Sequence, residues 1–441
     1  MTSAAVLWLF LLPVTLRGET SNPYSGILIF LVLPAAFFAG LILIPVGILW
    51  RVRARKRAGL DPEPHPPLGW HRPELRRLVF FIAAATVVNL AIGSQLTYGA
   101  VTYMESTSFC GQACHSVMQP QFVAFQDSPH ARVECVKCHV GPGAEWFVRS
   151  KLAGVRQVFE VVFDTYPRPI PAPVRDMRSV QETCESCHWA QKRSGDRLRV
   201  FQKYGDDQAN TLSKTVLLMR IGGGRSGGIH GAHLGEGITI RYAHVDEKRQ
   251  SIPWVEYRSP GRTTAYLASG AKGEEVQRLP VRIMECIDCH NRTGHAFESP
   301  EQAVDRALAA GNISPQLPSA KKQAIELLRT KTADQIPAAF ESYYREKHAD
   351  LYARRQDDIR QAARALQAVY NRNVFSRMRV TWGTYPNNIG HTDFPGCFRC
   401  HDDQHAASDG RTIGQDCNSC HRLLAMEEAA PKILSDLGLE P

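Results

Sequence analysis

The sequence lacks any nucleotide-binding fingerprint and any concentrated basic surface. No G-x-x-x-x-G-K or dinucleotide pattern occurs in its 441 residues, and the glycine run at 222–224 is typical of a turn. Of the net charge of +9, +5 lies in residues 51–77, so the remainder is too dilute for a nucleic-acid interface. A mean hydropathy of −0.24 excludes a transporter with many spans. A hydrophobic content of 44% excludes a disordered chain.

Charge is absent from two long segments, residues 26–50 and 78–101. At a rise of about 1.5 Å per residue, each is long enough to cross a hydrocarbon layer of about 30 Å. Pro34 and Pro45 are tolerated inside such a span. A pair of buried core helices is the alternative. The sequence therefore predicts a membrane anchor over residues 1–101.

The loop between the two spans, residues 51–77, carries eight Lys and Arg against three acids. The positive-inside rule places this loop in the cytoplasm and residues 102–441 on the other side of the membrane. No Lys or Arg precedes the short apolar segment 4–16, which makes it a poor signal peptide. That segment is either part of a third span or an interfacial segment. We expect a bacterial inner-membrane protein whose large domain lies in the periplasm.

Cysteine is absent from the anchor, and all twelve cysteines occur as six pairs, each followed at once by histidine. Five pairs have the c-type haem attachment spacing C-x-x-C-H, and the first pair has one extra residue. Zinc ribbons, disulfides and thioredoxin-like pairs do not require these histidines. We expect six covalent haem c groups. The motifs are Cys110/Cys114/His115, Cys135/Cys138/His139, Cys184/Cys187/His188, Cys286/Cys289/His290, Cys397/Cys400/His401 and Cys417/Cys420/His421.

Eight further histidines lie outside the cytoplasmic loop and are candidates for the second axial position of an iron. We expect five distal ligands, with His244 and His348 left out; they are His130, one of His230 and His233, His295, His391 and His405. One haem then lacks a histidine partner. We expect it to be the first, which has the unusual spacing and Met118 nearby.

The spacing of the motifs predicts the organisation of the outer domain. Residues 102–190 hold three haem motifs, and 191–285 form a β-rich insert with strands near 212–221, 237–244, 252–258, 263–268 and 279–284. Residues 286–441 hold three more motifs and a helical insert at 300–375, with helices near 301–310, 319–330 and 350–370. The fold class is thus a membrane-anchored multihaem cytochrome c with a mainly α, haem-packed outer domain and a small β-containing insert.

The span followed by Cys-x-x-x-Cys-His-Ser-Val-Met, Ser-Pro-His-Ala-Arg, Cys-Val-Lys-Cys-His-Val-Gly-Pro-Gly and Lys-Leu-Ala-Gly resembles the NapC/NirT family of membrane-anchored quinol dehydrogenases. Cys-Ile-Asp-Cys-His-Asn-Arg at 286–292 and residues 388–401 resemble a longer branch, similar to inner-membrane cytochromes that feed extracellular electron transfer. The resemblance implies that a methionine after the first motif can bind its iron, so the ligand is either His115 or Met118. It also implies a quinol pocket at Lys151, where Gln157 stands near the expected acidic position and Glu160 lies close by.

Three functions are compatible with these features. The first is a quinol dehydrogenase that takes electrons from menaquinol or ubiquinol and passes them to periplasmic c-type cytochromes or a periplasmic reductase, with extracellular acceptors beyond. The second is a terminal reductase of nitrite or hydroxylamine, which requires an open haem site; histidine in all six motifs argues against it. The third is a haem-based sensor or scaffold, for which no signalling segment is present. No nucleic-acid partner is expected, and homo-oligomerisation is left open.

Overall fold

The computed structural model describes residues 32–59, 73–113, 115–174, 179–189, 195–222 and 227–439. The chain divides into two compact units. One contains residues 1–118 and 134–136, and the other contains residues 119–133 and 137–441. The predicted apolar segment 4–16, the first residues of the predicted span 26–50, Cys114 and the side chain of His115 lie outside what is described.

The first unit contains two long helices, α1 (Leu33–Arg57) and α2 (Pro73–Glu105). Within them, Ala35–Arg57 and Leu75–Glu105 are long and apolar enough to cross a membrane. Their large apolar side chains are exposed, for example Trp50 and Phe81. A soluble core helix would bury such side chains, so the two predicted spans are confirmed.

Both helices extend beyond the predicted spans, because charged residues end an apolar run without ending a helix. Helix α1 continues through Arg55, Lys56 and Arg57. Cations in the last helical turn interact favourably with the negative end of the helix dipole. Between the helices, Phe37 and Leu96 are buried, and a Cβ at Gly93 would lie 3.6 Å from the Phe38 ring, at ordinary contact distance. A π-helix over Phe109–Ala113 and the start of α3 (His115–Gln126) follow.

The second unit is mainly helical. Helix α4 (Cys135–His139) contains residues of both units. In the described part of the second unit, the other helices before the helical insert are α5 (Ala144–Val162), α6 (Val180–Glu185), α7 (Gly228–Leu234), α8 (Gly273–Val276) and α9 (Cys286–Cys289). The remaining helices are α10 (Pro300–Ala309), α11 (Ala320–Thr330), α12 (Ile336–Lys347), α13 (Ala349–Arg354), α14 (Gln356–Asn373), α15 (Cys417–Cys420) and α16 (Lys432–Asp436). Short 3-10 turns cover Ser376–Met378 and Gly396–Arg399.

Two antiparallel sheets lie in this unit. The first has the order β1-β2-β8, and the second has the order β6-β3-β4-β5-β7. The strands are β1 (Arg197–Tyr204), β2 (Leu212–Met219), β3 (Thr239–Ala243), β4 (Trp254–Ser259), β5 (Arg262–Leu267), β6 (Val281–Ile283), β7 (Ala406–Ala407) and β8 (His421–Glu428). Because β7 and β8 come from the end of the chain, both sheets cross the predicted boundary at residue 285.

The largest apolar core belongs to the helical insert. Helices α10, α11, α12 and α14 bury a contiguous set of side chains that includes Leu328, Phe340, Tyr344 and Leu366. Apolar residues at three- and four-residue spacing place these side chains on one face of each helix. Ser299 caps α10, since its hydroxyl accepts from the Gln302 amide at 3.2 Å.

Candidate functional site

The third, fourth and fifth cysteine motifs each form a single helical turn. The histidine amide donates to the carbonyl of the first cysteine of its motif, at 2.8 Å for His188, 2.8 Å for His290 and 3.1 Å for His401. One turn therefore brings two thiols and an imidazole to one place. This is the arrangement that a group attached through two thioethers and one iron ligand requires.

Two predicted attachment residues, Cys138 and Cys187, are not enclosed by the protein. Both are the second cysteine of their motif, and both are exposed, as are Cys397 and Cys417. A C-x-x-C turn has two residues between its cysteines, so both sulfurs lie on one short turn. A thioether to the edge of a haem also requires a sulfur that the ring can reach. The exposure of Cys138 and Cys187 is compatible with attachment, which remains a prediction from the motif spacing.

A structural zinc is not supported, and neither are redox-active thiols at Cys289 and Cys400. Among the described residues no cluster of three or more His, Cys, Asp and Glu could hold a metal ion, whereas a structural zinc needs four ligands. Burial raises the pKa of Cys289 to about 11 and that of Cys400 to about 12. Reactive thiols have a lowered pKa instead. A low value is found near the first motif, where hydrogen bonds with Cys110 and Thr107 lower the pKa of Cys135 to about 6.

Five of the six motif histidines stand opposite a histidine from elsewhere in the chain. Two imidazoles on opposite faces of one iron, each with a metal–nitrogen bond of about 2 Å, have ring centres about 6 Å apart. The observed ring-centre distances are 5.9 Å for His188 with His130, 6.1 Å for His139 with His295, 6.1 Å for His290 with His230, 5.9 Å for His401 with His233, and 6.3 Å for His421 with His391. Each pair has the ring spacing that one iron between two imidazoles requires.

Hydrogen bonds orient several of these rings. The Nδ1 atoms of His295, His130, His233 and His401 lie 2.9, 3.2, 2.7 and 2.9 Å from the backbone carbonyls of Gln121, Thr293, Ile229 and Gly414. A carbonyl can only accept, so Nδ1 carries the proton in each ring. The second nitrogen, Nε2, is then the one with a lone pair for a metal.

The electrostatic environment favours the neutral imidazole that metals bind. Burial lowers the pKa of His295 to about 4. Burial also lowers the pKa of His233 and of His290. A neutral ring has no proton to lose before it coordinates an iron.

His405 does not occupy a ligand position, contrary to the sequence prediction. Its ring is buried, Nδ1 lies 2.9 Å from an Asp402 carboxylate oxygen, and Nε2 lies 2.7 Å from the Ile252 carbonyl. Both nitrogens are engaged within the protein, so His405 links two loops instead. Both His230 and His233 face a motif histidine, although only one of them was expected. Their spacing of three residues on α7 is the signal that places both on one side of a helix.

The remaining candidate ligands lie elsewhere. His244 points its Nδ1 to the Asp246 carbonyl at 3.0 Å, and His348 contacts the rings of Tyr343 and Tyr344 between α12 and α13. Met118 lies on α3, half-buried. The choice between His115 and Met118 falls outside the described side chains.

The predicted quinol residues share one amphipathic helix, α5. Lys151 is half-buried, with its Nζ 4.7 Å from the centre of the Phe147 ring. Gln157 is exposed, and Glu160 pairs with Arg156 at 3.4 Å. The helix also exposes a row of apolar side chains, Val148, Leu152, Val155, Phe159 and Val162. An exposed apolar face of this size marks a surface that contacts protein, lipid or an apolar ligand.

Comparison with known proteins gives two matches. Residues 72–170 match the NapC/NirT cytochrome c family, N-terminal region. The chain is also 40% identical to the cytochrome c-type protein ImcH of Geobacter sulfurreducens over 418 residues, which cover 92% of this chain and 82% of that protein. No solved structure matches the chain.

Proposed function

The chain belongs to the NapC/NirT cytochrome c family, and from this membership we propose that it oxidises membrane quinol and delivers the electrons to periplasmic acceptors. That it is an electron-transfer cytochrome with covalent haem c, anchored in the inner membrane with its haem domain in the periplasm, follows from the family itself. The proposal adds the donor, the number of haems and the kind of acceptor.

We further propose six haems per chain. The cysteines of the six motifs hold them covalently, the exposed Cys138 and Cys187 included, and the motif histidines bind the irons. When bound, each haem accepts and releases one electron at a time. The axial ligand of the first iron is His115 or Met118. The sixth ligands of the other five irons are His130, His230, His233, His295 and His391.

The five histidine pairs favour electron transfer over reduction of a small substrate. A terminal reductase needs an iron with an open position for nitrite or hydroxylamine. Five motif histidines each face a second histidine, which supports a closed sixth position on the irons that they bind. Acceptors are therefore proteins, such as periplasmic c-type cytochromes or a reductase, with extracellular acceptors beyond them.

Helix α5 supports the proposed quinol site. Its exposed apolar side chains suit the isoprenoid tail of a quinol, and Lys151 supplies a cation for the ring oxygen. Oxidation releases two protons, so a base is needed. Glu160 accepts one of them once Arg156 moves away, and the second passes to water. Gln157 hydrogen-bonds the quinol without taking a proton.

The test is the rate at which a menaquinol analogue reduces the purified protein. Lys151→Met removes the cation but keeps the length of the side chain, and we expect at least a tenfold slower reduction, with dithionite reduction of all haems unchanged. Arg149→Met is the matched control, because it removes a cation of the same helix that pairs with Glu145 instead. Equal rates in Lys151→Met and wild type would move the quinol site away from Lys151.

A further inference from the structure

An aspartate inside the fourth haem motif is almost fully buried. Asp288 is 2% exposed, and its Oδ1 accepts from Arg249 Nη1 at 2.6 Å and from the Tyr242 hydroxyl at 2.7 Å. Its Oδ2 accepts from the Glu285 amide at 2.8 Å, which caps α9. A buried ion pair with its lone pairs satisfied holds its geometry closely.

The equivalent position of the fifth motif is an arginine that reaches the fourth motif. Arg399 donates from Nη2 to the Asp288 carbonyl at 2.7 Å, from Nη1 to the Arg249 carbonyl at 2.8 Å, and from Nε to its own Gly396 at 2.8 Å. The planar guanidinium fixes three directions at once. Asn388 adds a donor to the same Asp288 carbonyl at 3.0 Å. We refer to Asp288, Arg249 and Arg399 as the charged bracket.

The distal ligands of the same two motifs lie on one short helix. His230 and His233 of α7 face His290 and His401. The Ile229 amide at the start of α7 donates to the Arg220 carbonyl, just after β2, at 2.9 Å. Gly228 permits this approach, since a Cβ there would meet the Arg220 carbonyl oxygen at 2.6 Å. A single helix, α7, therefore carries the distal histidines of both the fourth and the fifth motif.

We propose that α7 and the charged bracket hold the fourth and fifth haem sites as one rigid pair, and that Asp288 and Arg399 set the reduction potentials of that pair in opposite directions. Reduction adds an electron, so a nearby anion such as the buried Asp288 opposes it, and a nearby cation such as the half-buried Arg399 favours it. The proposal rests on the haem content of the proposed function but on neither the quinol donor nor the acceptor.

The experiment is a spectroscopic redox titration of the purified full-length protein. In Asp288→Asn, the carboxylate charge is lost and Arg249 remains, so we expect two of the six midpoint potentials to rise. In Arg399→Gln, the same two should fall, and Arg399→Lys, which restores the charge, should return them towards wild type. The two haems are identified with His230→Met and His233→Met, each of which alters the ligand of one of them.

Asp416→Asn is the matched control. Asp416 caps α15 beside the sixth motif but is exposed, and its contacts are local. It should leave the fourth and fifth potentials unchanged. Haem content by intact mass, together with the melting temperature, shows whether each variant is folded. Tyr242→Phe, which removes one hydrogen bond to Asp288, repeats the test with a milder change should Asp288→Asn fail to fold, and it should move the same two potentials.

Three results would overturn the proposal: shifts of Asp288→Asn and Arg399→Gln in the same direction, shifts spread over all six haems, or equal shifts in Asp416→Asn. None of these results would bear on the rate at which menaquinol reduces the wild-type protein, so the quinol proposal is tested separately. Conversely, loss of the quinol function in Lys151→Met bears only on the donor site.

Discussion

Two residues, His391 and His405, show how the partners of a ring decide what a histidine does. His391 stacks on Phe398 at 4.1 Å between ring centres and faces His421. His405 has both nitrogens engaged by Asp402 and Ile252. Both lie within a few residues of a haem motif, so sequence distance alone does not separate a ligand from a structural residue.

At this scale we predict opposite phenotypes for two alanine variants. His391→Ala leaves the His421 iron without its sixth ligand, so one low-spin ferric signal should become high-spin in paramagnetic resonance. His405→Ala should keep every low-spin signal. Unfolding by denaturant should instead show that this variant loses about 1–3 kcal/mol in the free energy of unfolding, because buried partners lose their hydrogen bonds. A high-spin signal in His405→Ala would show that the ring reaches an iron.

At the scale of elements, the helical insert is held to the β1–β2 hairpin by polar contacts. Lys321 on α11 pairs with Asp305 on α10 at 2.8 Å, and the Tyr204 amide at the end of β1 donates to the same carboxylate at 3.0 Å. Asn210 in the hairpin donates to the carbonyls of Pro315 and Leu317. Asp305, Lys321 and Asn210 are buried, so water cannot replace a hydrogen-bond partner that any of them loses.

Breaking that ion pair should be costly. Asp305→Ala leaves Lys321 charged, buried and unpaired, for which we expect a loss of about 3–5 kcal/mol in the free energy of unfolding. The matched control is Glu301→Ala on the same helix, whose pair with Arg329 is exposed and should contribute about 0–1 kcal/mol. Denaturant titration of both variants measures the difference. Equal losses would mean that the buried pair is not what joins these elements.

The elements differ in how far the sequence could predict them. The cysteine motifs, both spans and the helices α10, α11 and α14 are predicted because a covalent spacing or a local apolar period determines them. Strand β8 was missed because His421–Glu428 shows no alternation, and its pairing with β2 depends on contacts far along the chain. The pairing of distal and motif histidines was open for the same reason, since no local pattern relates His139 to His295.

At the scale of the whole molecule, independent features agree on one arrangement. The basic segment at the end of α1, the apolar spans and the family match all place the second unit in the periplasm. Of the net charge of +9, +5 lies in the cytoplasmic loop. The periplasmic part uses its histidines mainly in pairs, which suits transfer of electrons rather than binding of a small substrate.

The central claim is that each of these five histidine pairs fills both axial positions of one iron. It is tested most directly by quantitative paramagnetic resonance of the fully oxidised wild-type protein, with the signal expressed per chain. The account predicts five low-spin centres with two histidine ligands each, and at most one further centre of a different kind. High-spin iron amounting to two or more centres per chain would contradict it, because at least one of the five pairs would then be open.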